Sequence, residues 1–77
     1  MSTNPDLIVS LLSNWLGGRL QTDELRRQID EIGTTGLAPG PAEAVRELQQ
    51  ELAQAKNGER GQLEMVARET LEAVALG

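Results

Sequence analysis

The 77-residue sequence predicts an all-α fold, a small bundle of four short helices. Three observations predict it. Apolar residues recur at spacings of three and four in every long segment, residues that start and stop helices stand between those segments, and neither strict alternation nor a concentration of β-branched residues marks out a strand. The expected helices span about residues 5–16, 22–32, 41–56 and 59–76, within one domain covering 1–77 that has an internal Gly/Pro loop at 33–40.

The first helix starts at Asn4-Pro5-Asp6. Asn is a favoured N-cap, Pro loses no hydrogen bond at the first helical position, and Asp suits the positive end of the helix dipole. The helix runs to Leu16 and stops at Gly17-Gly18, where a left-handed cap costs glycine nothing. Thr22 opens the second helix, with Asp23 and Glu24 in its first turn and Leu25, Ile29 and Ile32 recurring until Gly33 ends it. From Gly33 to Pro41 two prolines and three glycines oppose continued helix, so this stretch reads as a loop.

Pro41 opens the third helix at its first position, and Val45, Leu48, Leu52 and Ala55 form an apolar seam. Asn57-Gly58 is a turn signal, after which Leu63, Val66, Ala67, Leu71 and Val74 share one face of the fourth helix. A rival arrangement runs a single helix from Pro41 to Ala75. It would place Glu59 and Gln62 on the seam, and Gly58 and Gly61 would each cost about 1 kcal/mol inside it. An antiparallel hairpin of helices three and four, with helices one and two packed against it, is the expected arrangement.

Helices two and three carry narrow apolar arcs, the rest of their circumference being charged or amide-bearing. Helix one differs. Leu7, Ile8, Val9, Leu11, Leu12, Trp15 and Leu16 spread over roughly 200° of it, leaving Ser10, Ser13 and Asn14 as a polar strip. An arc that wide needs two neighbours within the chain or a surface from another chain. A core in so short a chain rarely supplies more than about 3–5 kcal/mol, and neither disulfide nor metal assists it. Ile8, Leu11, Leu12, Trp15 and Leu16 are therefore the expected protein-interface residues, with a homodimer the expected form.

Composition excludes much chemistry. There is no Cys, hence no disulfide, thiolate metal site or thiol nucleophile, and no His to serve as base or ligand. Trp15 is the only aromatic residue, so no platform for stacked bases is on offer. The net charge of −5, with an isoelectric point near 4.5, repels phosphate backbones and anionic membrane surfaces. Glu43, Glu47 and Glu51 stand four apart opposite the apolar seam, on the expected solvated side of the helix, and are not expected to do acid–base work. No glycine pattern matches a phosphate-binding loop and no calcium loop is present. No catalytic residue, cofactor, metal or small-molecule substrate is expected.

The apolar run Leu7–Leu16 falls short of the roughly 20 residues that span a bilayer, no basic segment precedes it, and no lipidation motif is present. The expected location is the cytoplasm. Six Arg against one Lys, with many Ala and Gly, fit a GC-rich bacterial genome. Arg19, Arg26 and Arg27 form a small basic cluster at the start of helix two, a second candidate contact for an anion or a partner's carboxylates.

The segment Leu12–Ile32, with Gly18-Arg19-Leu20-Gln21-Thr22-Asp23-Glu24-Leu25, resembles the short C-terminal oligomerisation motif SHOCT, in which a Gly turn and a Thr-capped acidic start link two small helices. The likeness covers about a quarter of the chain, consists of capping chemistry, and does not by itself assign the family. The expected function is that of a non-enzymatic helical interaction module, a homo-oligomer or a small subunit or adaptor of a larger assembly, acting through helix one. The alternative is a DNA-linked transcriptional regulator or accessory factor using Arg19, Arg26 and Arg27.

Overall fold

Four helices carry most of the residues described by the computed structural model, which are 4–54 and 60–76: α1 (Asn4–Leu16), α2 (Thr22–Ile32), α3 (Pro39–Gln54) and α4 (Arg60–Leu76). No strand occurs among the described residues. The expected Asn57-Gly58 turn, the last residues of helix three (Ala55 and Lys56) and the Glu59 start of helix four lie outside them.

α1 ends in a Schellman cap. The Arg19 N–H donates to the Asn14 carbonyl at 2.8 Å and the Gly18 N–H to the Trp15 carbonyl at 3.0 Å, which requires a left-handed residue between the helix and the chain that leaves it. Gly18 takes that position at φ +79°, where a Cβ would be strained. α2 begins behind an extended Gln21, whose carbonyl accepts the Leu25 N–H at 2.9 Å.

α3 begins at Pro39, two residues before the expected Pro41. The Ala42 N–H bonds back to the Ala38 carbonyl at 2.9 Å, so residues 39–41 are the first turn. Amides of a first turn have no intrahelical acceptor, and proline gives up nothing there. The sequence that looked like a helix breaker is a tolerated helix start.

The helices pack in a ring, α1 against α2, α2 against α3, α3 against α4 and α4 against α1, and the backbones of the diagonal pairs stay farther apart. Within the ring the core gathers Ile8, Leu12 and Trp15 from α1, Leu25 and Ile29 from α2, Val45, Leu48 and Leu52 from α3, and Leu63, Ala67 and Val74 from α4. Of the expected seams, Leu25 and Ile29 on α2 and Val45, Leu48 and Leu52 on α3 are buried, Ile32 is half-buried, and Ala55 lies outside the described residues. On α4 the buried line also includes Thr70, while Val66 and Leu71 lie at its margins.

Thr70 decides how α3 and α4 are arranged. Its hydroxyl lies 2.8 Å from the Val66 carbonyl on its own helix and 3.3 Å from the Ala44 carbonyl near the start of α3. Twenty-six residues within one helix would separate Thr70 from Ala44 by about 39 Å along the axis. The single long helix is therefore excluded, and α3 and α4 run antiparallel. Between α1 and α2 the same sense is set by the Asn4 side-chain amide, which reaches across to the Thr35 carbonyl beyond the end of α2 at 2.8 Å.

Leu12 is wholly buried at the centre of α1. Leu12→Ala should lower the unfolding free energy by about 2–5 kcal/mol in urea titrations followed by circular dichroism. A loss under about 1 kcal/mol would contradict its central placement.

Candidate functional site

Ile8, Leu12 and Trp15, three of the five residues expected to face a partner, are completely shielded by their own chain. This corrects the expected interface. The wide apolar arc of α1 is met from two sides by α2 and α4, which is what such an arc requires within a single chain. Leu11 and Leu16 lie at the margins of the buried line, half-buried against the core. Of the apolar residues of α1, Leu7 stays in water, at 40% exposure, beside the exposed Ser10, Ser13 and Asn14.

Trp15 is held on all its edges. Its indole N–H donates to the Thr22 hydroxyl at 3.0 Å, so the first residue of α2 spends its side chain on α1, and α2 starts without a side-chain cap. The Arg60 guanidinium lies over the ring, 4.3 Å from its centroid, and donates to the Trp15 main-chain carbonyl at 3.0 Å. Arg60 Nε also sits 3.5 Å from Glu64 Oε1, one turn along α4. A cation in the first turn of α4 opposes the dipole of its own helix, but against the last turn of α1 it meets the negative end of another. Sequence spacing placed Trp15 on the apolar arc of α1, among the expected interface residues. Thr22 and Arg60 lie seven and forty-five residues from it in the chain, so no periodicity links Arg60 to Trp15.

Of the expected basic cluster, Arg27 is paired within its own helix. Arg26 and Arg27 are consecutive on α2 and point about 100° apart. Arg27 turns back to Glu24, donating to both carboxylate oxygens at 2.5 and 2.7 Å, and Gln28 donates to the same carboxylate at 2.9 Å. Arg19, in the turn before α2, and Arg26 are exposed. Half of the cluster's adjacent pair is thus neutralised by its own helix.

That network lowers the Glu24 pKa below the usual glutamate range, first through the Arg27 hydrogen bonds and then through Gln28, and it raises Arg27 above its ordinary value, mainly through Glu24. Both side chains remain open to solvent, which screens the pair. The carboxylates of α3 show no comparable arrangement: Glu43 and Glu47 are exposed and Glu51 half-buried. No group of acidic side chains among the described residues is placed to hold a metal ion, and no described helix is long and apolar enough to cross a membrane. Compared with protein-family models, with curated proteins and with solved structures, the chain matches none of them.

Two measurements test this geometry. Thr22→Val keeps the shape of the side chain and removes the indole's acceptor, and should cost about 1–3 kcal/mol in chemical unfolding followed by Trp15 fluorescence. Because the Glu24 pKa is lowered on folding, its contribution is present above the unfolded glutamate pKa and lost as pH falls through the folded one. The difference in thermal midpoint between the wild type and Glu24→Gln should therefore shrink as pH is lowered from roughly 7 to 3, and shrink with added salt at neutral pH.

Proposed function

We propose that the chain is a cytoplasmic, non-enzymatic helical interaction module, working as a homo-oligomer or as a small subunit of a larger assembly. The contact surface assigned to it is the outward edge of α1 together with the outer face of α4. One observation carries the reading: among the described residues, the large apolar side chains left in water are Leu7 on α1 and Met65 and Leu76 on α4, at 40%, 59% and 81% exposure. Covering a fully exposed side chain of this kind contributes about 1.5–3 kcal/mol, and less for Leu7, which is already mostly covered; the entropy of association is set against the sum.

The interior supports the same reading. Among the described residues every buried polar side-chain atom has a partner within the fold, and the one buried polar residue, Thr70, directs its hydroxyl at two main-chain carbonyls. With neither His nor Cys in the sequence, no inward-facing group is left over to serve a reaction.

Light scattering over a wide concentration range tests the homo-oligomeric form. The wild type should approach a multiple of the single-chain mass, and a Leu7→Asp, Met65→Asp double variant should return to one chain mass with its helical content unchanged. A strictly monomeric wild type that also retains no protein from its host lysate at high loading would overturn the reading.

A further inference from the structure

The outer face of α4 carries two apolar side chains with acid between them. The exposed Met65 and Leu76 stand about three turns apart, which places them within about 20° of each other around the helix and about 16 Å apart along it. Glu69 and Glu72 fall between them, within about 40° of the same line. Both are exposed, and neither is paired with any described residue. The buried line of Leu63, Ala67, Thr70 and Val74 lies on the opposite side of the helix, so the stripe faces outward. Of the described cations of α4, Arg60 is engaged by Trp15 and Glu64, and Arg68 stands about 60° to one side of Met65.

We propose that this stripe docks a basic amphipathic helix of another protein, one that carries two apolar side chains about three turns apart with Lys or Arg between them. Charge selects the partner. Two copies of α4 laid together along the stripe oppose like charges in either sense. Antiparallel pairing that sets Met65 on Leu76 of the second copy also sets Glu69 on its Glu72, and parallel pairing sets each glutamate on its own counterpart. A partner with cations in its middle turns pairs with both glutamates while its apolar side chains cover Met65 and Leu76. The net charge of −5 adds long-range attraction for such a segment. The inference rests on the reading of this face as a contact surface, takes its subunit form, and leaves the Leu7 edge to self-association.

The test titrates the whole chain with three synthetic helical peptides of about 18 residues. Each carries two leucines eleven positions apart, and the positions between them on that face are lysine, glutamine or glutamate. Followed by amide chemical shifts, the lysine peptide should perturb α4 between Met65 and Leu76, and the other two should bind at least about tenfold more weakly. A Glu69→Lys, Glu72→Lys variant should reverse the order and favour the glutamate peptide. Met65→Asp makes the chain more negative, yet should weaken the lysine peptide about tenfold because an apolar anchor is lost. Both variants change exposed positions, and circular dichroism checks that they stay folded. Tighter binding by Met65→Asp would show attraction to net charge alone and overturn the proposal. Equal binding of the three peptides would do the same. So would a wild-type dimer in light scattering that Met65→Asp alone dissolves, which gives the stripe to a second copy. Failure of all three peptides overturns the proposal, and where the wild type also stays at single-chain mass, the contact-surface reading falls with it.

Discussion

The indole of Trp15 must lose its water and still keep its N–H bonded, and that double requirement ties three of the four helices together. α1 contributes the ring, α2 the Thr22 hydroxyl that receives the N–H, and α4 the Arg60 side chain that covers the face and caps the α1 carbonyl. An unpartnered buried N–H would cost about 1–3 kcal/mol, a large fraction of what so short a chain can hold. No disulfide is available to share the task. The node stands at the end of the bundle where α1 ends and α2 and α4 begin.

At the other end the start of α1 is tied down by the Asn4 side-chain amide donating to the Thr35 carbonyl, and α4 is tied to α3 by the Thr70 hydroxyl beside the Ala44 carbonyl. Between the two ends lies an apolar line on each helix, and the ring of four lets α1 be covered by two neighbours simultaneously. This resolves the competition that the sequence raised. Apolar surface on α1 that would have been offered to a second molecule is taken by α2 and α4, because an intramolecular neighbour is present at high effective concentration and an external one must first overcome the entropy of association. Among the described residues, the large apolar side chains that remain outside are Leu7 on α1 and Met65 and Leu76 on α4.

Residue by residue, the sequence was legible where one helix decides the outcome. Leu25 and Ile29, or Val45, Leu48 and Leu52, announce their burial by spacing alone, because a helix shows one face to its neighbours. Gly18 and Gly33 announce the ends of α1 and α2 through the left-handed backbone they adopt. Pro39 and Pro41 misled by two residues, since proline stops a helix from its middle and opens one from its first turn, and the residue alone does not say which. Thr70 was missed because a hydroxyl at an apolar position reads as an interruption until a carbonyl on the facing helix is seen to lie beside it.

Taken alone, the amino-acid order determined that the chain is helical, where its apolar faces run, and which chemistries it cannot perform for want of His and Cys. Those are local properties, set by backbone propensity, side-chain period and residue inventory. Only the tertiary structure decided that the broad face of α1 is closed from within and that Arg60 reaches Trp15 from forty-five residues away. These depend on which surfaces meet when four helices close into a ring, and no period within one helix encodes the neighbour it will have.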